Sequence, residues 1–206
     1  MKKLLFTVFF LIYSLSYSQT SFGIKGGLLL ANQELGSGIT IAFDDEAKLS
    51  YYFGGFVEHK MSKFAIQGDI SYVNFGFKSN LKRHSFDPSP NFKYKTDMHT
   101  LVVAVSAKYY IMDIISIGVG GYYGLNIGSD YIVNGTNYNS ENKVLSKNND
   151  FGFVSSADFE IYKGLFVEAK YYLGLADVNK EPVLNPYNGD YSAKNRAFAL
   201  GAGYRF

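Results

Sequence analysis

The chain of 206 residues contains no cysteine. A disulfide framework, a thiolate metal site and a cysteine nucleophile are therefore excluded. Beyond residue 18 no apolar run reaches the roughly 20 residues of a membrane-spanning helix. An excess of charge is missing as well: Lys+Arg 20 stands against Asp+Glu 18. Loss of Lys2 and Lys3 with an N-terminal leader would leave 18 against 18, a formally neutral remainder. Nothing provides the basic footprint of a nucleic-acid partner. Tryptophan is also absent, whereas Tyr 18, Phe 18 and Gly 21 are plentiful. Aromatic residues favour strands, and glycine serves bends and close packing. A soluble β-sandwich shares this composition, so the pattern along the strands has to separate the alternatives.

Residues 1–18 read as a cleaved signal peptide. Lys2 and Lys3 open it, Leu4 to Leu15 is apolar except for Thr7 and Ser14, and Ser16 and Ser18 occupy −3 and −1 of a cut before Gln19. That apolar core is short for an uncleaved anchor. Residues 19–206 then form one domain.

From there the period is two. Phe22, Ile24, Leu28 and Leu30 oppose Gly23, Lys25 and Gly27, and Leu49, Tyr51, Phe53 and Val57 oppose Ser50, Gly54 and Glu58. Six further segments alternate in the same way, starting near residues 64, 100, 115, 151, 165 and 196. The connections sort by length. His59–Lys63, Ile111–Asp113 and Tyr162–Gly164 are very short, whereas about 32–48, 78–96, 128–149 and 176–195 are long and polar. Four long loops at one end, with three turns and both termini at the other, is the layout of an even-stranded up-and-down barrel. A Greek-key sandwich has no reason to segregate its loops.

The charges on the polar face, Lys25, Glu58, Asp69, Lys108, Asp158, Glu160, Glu168, Lys170 and Arg205, fit either architecture. Loop asymmetry, the leader and the final strand decide between them. That strand carries apolar side chains at 198, 200, 202, 204 and 206, small residues between them, and ends on Phe206 with Tyr204 two before it. This ending resembles the signal read by barrel assembly machinery in bacterial outer membranes. The predicted fold class is all-β: an eight-stranded antiparallel up-and-down transmembrane β-barrel in the outer membrane. Aromatics near strand ends supply two interfacial belts. Eight strands leave a lumen just wide enough for side chains, and Tyr122, Phe166 and Tyr172 with the polar-face charges should plug it.

Phe22-Gly23-Ile24-Lys25-Gly26-Gly27-Leu28 and Tyr204-Arg205-Phe206 resemble the first and last strands of the PorT-like outer-membrane β-barrel family of Bacteroidetes, and the Ser18-Gln19 junction is similar to leader ends common in that phylum. The resemblance implies fold and location. It carries over no catalytic or binding residues, and some relatives serve secretion or gliding machinery.

Candidate chemistry is sparse. His59, His84 and His99 are the three histidines. Lipid-modifying barrel enzymes use a histidine with a nearby serine and a carboxylate. No His-x-Ser is present, and His84-Ser85 falls mid-loop. Asp97 and His99 share a face at the outer rim of the fourth strand and form the one weak catalytic pair. Asp44-Asp45-Glu46 lacks the ligand spacing of a dedicated cation loop, so no metal is expected. Lys78, Lys82, Arg83, Lys93 and Lys95, interleaved with Phe86, Phe92 and Tyr94, make the second long loop basic, which reads first as a solvated loop and second as a contact for lipid A phosphates. Gly118-Val119-Gly120-Gly121 precedes no helix and is not a phosphate loop, so no cofactor is expected either. The chain is read as a non-enzymatic structural or interaction protein that displays four long extracellular loops or supports an envelope assembly. Its partners would be outer-membrane lipids and lipopolysaccharide, the barrel assembly machinery through Phe206 and an envelope complex, with no nucleic acid. A lipid-modifying enzyme and a narrow channel are the alternatives.

Overall fold

The computed structural model describes residues 19–35, 43–81, 92–133, 136–138, 149–177 and 193–206. The leader expected at 1–18 and His84-Ser85 lie outside them. Alternation of apolar and polar side chains forms strands wherever one face must meet lipid and the other a packed interior. Among the described residues ten strands result: β1 (Gln19–Leu35), β2 (Phe43–Glu46), β3 (Lys48–Met61), β4 (Phe64–Leu81), β5 (Phe92–Met112), β6 (Ile115–Val133), β7 (Thr136–Tyr138), β8 (Asp150–Tyr162), β9 (Leu165–Gly174) and β10 (Ala193–Arg205). Eight of them pair antiparallel in the order β4-β3-β1-β10-β9-β8-β6-β5, and β5 pairs back onto β4. The ring is closed. At the seam Ile24 faces Tyr204 and Leu28 faces Leu200, and the Phe206 amide donates to the Phe22 carbonyl at 2.7 Å.

Three two-residue turns, Ser62-Lys63, Asp113-Ile114 and Lys163-Gly164, join β3 to β4, β5 to β6 and β8 to β9. Lys163 and Gly164 both take positive φ, 36° and 89°, the backbone that matches the twist of paired strands. A side chain at Gly164 would run into the Arg205 carbonyl.

Outward positions hold Ile24, Leu28, Phe53, Ile66, Ile70, Val105, Val119, Phe153 and Leu200, all exposed. Inward positions are small, polar, charged or aromatic, with Leu29, Val73, Met98, Val102 and Val154 adding an aliphatic group. Val105, mid-strand and 60% exposed, should tolerate Leu. Val105→Lys should cost about 2–4 kcal/mol, the penalty for a lysine at the bilayer midplane, measured as a lower urea midpoint for folding into lipid vesicles.

All four segments read as long loops contain strand, β10 beginning at Ala193 inside the 176–195 stretch. β4 continues to Leu81 and β5 begins at Phe92, inside the 78–96 stretch, while β6 runs to Val133 inside the 128–149 stretch. β1 likewise extends to Leu35, and β2 pairs Phe43–Glu46 with Lys78–Leu81. β7 pairs with the end of β6. The 18 residues of β4 span roughly 60 Å along the strand and about 45 Å upright at the usual tilt, against an apolar band of about 25 Å. Part of the wall therefore stands above the membrane as a sheet.

Candidate functional site

The lumen is built in layers from residues that every strand of the ring supplies. Nearest the turns lies a charged layer. Lys25 (β1) pairs with Asp69 (β4) and donates to Glu168 (β9) at 3.0 Å. Glu168 also receives Lys170 at 3.2 Å and the Tyr52 hydroxyl at 3.0 Å. Gln67 donates to both oxygens of Asp69 and accepts from Lys108 at 2.9 Å, which links this group to the next. Lys108 (β5) donates to Glu58 (β3) at 2.8 Å and pairs with Asp158 (β8), which accepts from the Ser116 hydroxyl (β6) at 3.3 Å. Tyr110 donates to Glu58, and Arg205 (β10) reaches Glu58 at 3.4 Å and Glu160 at 3.2 Å. The lysines, Glu58, Asp69, Asp158 and Glu168 are buried. Charges taken out of water hold only when paired and hydrogen-bonded, and here opposite signs from seven strands meet, with the Ser116 hydroxyl supplied by β6.

Further from the turns an apolar plug replaces the charges. Leu29, Tyr52, Val73, Phe75, Met98, Val102, Tyr122, Val154 and Tyr172 pack as one cluster. Tyr172 meets Phe75 and Tyr122 edge-on, at 5.6 and 5.5 Å between ring centroids, a favoured aromatic geometry. Phe56 and Phe166 make a similar edge contact at 5.7 Å within the charged layer, with Lys25 over Phe56 and Arg205 over Phe166. Tyr122, Phe166 and Tyr172 thus sit where the alternation placed them. Tyr52, Phe56, Phe75 and Tyr110 are additional plug residues. Their signal was parity alone, and aromatic neighbours such as Tyr51, Phe53 and Tyr109 hid it.

At the outer mouth Asp150 accepts from Tyr122 at 2.8 Å and Asn195 at 2.9 Å. Lys48 is buried there, paired with Asp97 and donating to Asn74 at 3.0 Å and the Phe75 carbonyl at 3.2 Å.

Asp97 and His99 part company. Asp97 is buried and engaged by Lys48 and by Lys95 at 2.9 Å. His99 takes other partners: its Nδ1 lies 2.5 Å from the Tyr72 hydroxyl and its Nε2 3.1 Å from Asp130. A carboxylate cannot donate, so Nε2 carries the proton towards Asp130, while Nδ1 shares a hydrogen bond with the Tyr72 hydroxyl. The carboxylate on His99 therefore comes from β6, in a stretch the sequence presents as loop. His59 is near the turns, 3.0 Å from the Thr20 hydroxyl. Asp44-Asp45-Glu46 forms β2, and Lys78, Lys93 and Lys95 lie on β4 and β5 rather than in a loop. Lys82, Arg83 and Phe86 lie outside the described residues.

A closed antiparallel ring with a lipid-facing apolar exterior and a sealed interior defines an integral outer-membrane β-barrel. The chain belongs to the outer membrane protein beta-barrel domain family, which it matches over residues 15–180. Among solved structures it is similar to the outer membrane protein OprG from Pseudomonas aeruginosa, with 13% identity and a TM-score of 0.49 over 92% of this chain and 97% of that one. It is also similar to Ail, the attachment invasion locus protein of Yersinia pestis, with 14% identity and a TM-score of 0.45 over 90% and 98%. Neisserial surface protein A shows 12% identity and a TM-score of 0.46 over 90% and 97%. No curated protein matches the sequence.

Proposed function

We propose that the protein is a non-enzymatic interaction protein of the outer membrane, whose rigid barrel presents its outer segments to a partner or braces an envelope assembly. The observation that carries this reading is the sealed lumen beneath a wall that rises above the apolar band. A filled interior leaves nothing to conduct, so binding falls to the outer end, where loops held by a rigid scaffold give specificity. Phe206, exposed and edge-on to Tyr204 at 5.2 Å, would be read by the assembly machinery before it settles at the inner interface. Lipopolysaccharide is the proposed lipid partner. The first and last strands favour placing the chain near the PorT-like barrels of Bacteroidetes, and with them a role beside a secretion-type complex.

Cross-linking in intact envelopes followed by pull-down tests the reading. A partner captured by the full chain, and lost when residues 36–42 and 139–148 are replaced by short Gly-Ser linkers, supports it. Capture that is indifferent to those segments removes it. In planar bilayers the folded protein is expected to stay silent, and reproducible discrete conductance steps would establish the channel alternative instead.

A further inference from the structure

The outward side of β5 changes chemistry with height. From its turn upward, every second residue reads Tyr109, Ala107, Val105, Val103, Leu101, then His99, Lys95 and Lys93, while Asp97, of the same parity, is buried against Lys48. β4 runs beside it in register, with Ile70 opposite Val103, Tyr72 opposite Leu101 and Lys78 opposite Lys95. At the changeover the rings form a platform. Phe53 and Tyr51 lie 5.2 and 5.9 Å from Tyr72 with interplanar angles of 27° and 26°, and His99 stacks on Tyr72 at 6.0 Å and 25°. Tyr51 and Phe53 are 48% and 57% exposed. Asp130 and His99 border the rings with hydrogen-bonding groups. Above them two lysines stand directly across the strand pair, an arrangement that costs stability unless something negative lies between or beside them. Asp97, beside Lys95, is shared with Lys48.

We infer that this wall binds the headgroup of an outer-leaflet glycolipid. Acyl chains lie along Ile70, Val103 and Val105. The C–H face of a sugar ring packs on Tyr51, Tyr72 and Phe53 while its hydroxyls bond Asp130, and a phosphate meets Lys95 and Lys78. Height selects a glycolipid over a phospholipid. Lys95 is four residues beyond His99, about 13 Å along the strand and roughly 10 Å upright. A phospholipid headgroup layer is only about 5–7 Å deep, so its phosphate stops short of the lysines. A sugar between acyl chains and phosphate fills that gap. The inference deepens the lipopolysaccharide partner named above and rests on it.

The test uses the folded full chain in nanodiscs, with retained lipid counted by native mass spectrometry. Lipopolysaccharide competes there against phosphatidylglycerol, an anionic lipid without a sugar at this depth. The wild type is expected to retain lipopolysaccharide about tenfold over phosphatidylglycerol. Tyr51→Leu should reduce that preference severalfold for both intact and dephosphorylated lipopolysaccharide. Lys78→Gln with Lys95→Gln should reduce it for the intact lipid and leave the dephosphorylated one unchanged. Equal retention of the two lipids by the wild type, or an unchanged preference in both folded variants, overturns the graded wall. Retention of neither lipid overturns the lipopolysaccharide partner itself. Heat-dependent gel mobility verifies folding. Should Tyr51→Leu fail to fold, Phe53→Leu probes the same platform.

Discussion

Lys108→Met should lower the stability of the folded barrel by about 3–5 kcal/mol, the cost of leaving buried carboxylates without their cation. Lys108 donates to Glu58 and Gln67 and pairs with Asp158, and it is buried. Methionine fills the same length but strands two carboxylates in a sealed space. Arg205 and Tyr110 still reach Glu58, whereas Asp158 keeps Ser116. The loss should appear as a lower urea midpoint for the band of folded mobility in vesicles. Adding Glu58→Gln and Asp158→Asn should recover much of it, because removing a whole buried ionic group costs far less than halving it. Lys108→Met with an unchanged midpoint would show that the lumen is hydrated enough to solvate the orphaned acids.

Gly27→Val should prevent closure altogether. A side chain there runs into the Leu200 carbonyl and the Cα of Gly201, both backbone atoms of the opposing strand at the seam. A flexible side chain could swing away, but a paired backbone can only part. Gly55→Val is the control. It lies on β3, also next to β1, yet the nearest atom to an added Cβ there is the Gly23 carbonyl at 3.5 Å. That substitution should fold as well as the parent or slightly better, since β-branched residues suit strands. Heat-modifiable mobility lost in Gly27→Val and kept in Gly55→Val is the expected pair of gels. Normal folding of both would mean that the seam is looser than its register implies.

Much of this architecture is legible from side-chain parity. Leu28 beside Gly27, or Val105 beside Ser106, declares which face meets lipid, and three very short connections declare which strands are hairpins. Legibility fails where the membrane stops enforcing the pattern. Above the apolar band neither face must be greasy, so Lys78, Lys93 and Lys95 read as loop although they continue β4 and β5. The partner of His99 was lost for the same reason: Asp130 falls in polar sequence, and the irregularity of β6, where Gly128 faces His99 and Asn126 faces Thr100, is set by pairing rather than by composition. Asp97 shared a parity with His99. What it bonds was decided by Lys48, the first residue of β3, whose reach across to Asp97 leaves no trace in the alternation of either strand.

The charged layer of the lumen also dictates an order of events. Lys25 comes from the first strand of the ring and its acceptor Glu168 lies 143 residues later, while Arg205 comes from the last strand and reaches back 45 residues to Glu160. Contacts so distant along the chain form slowly, because loop-closure entropy precedes their reward. Until β1 and β10 meet, the interior acids and lysines have only part of their partners and must keep water. Drying of the interior and sealing of the seam therefore belong to one late kinetic step. A chain halted before that step is a wet, open curl with an unpaired edge, the species most exposed to proteases and to sticking to its neighbours.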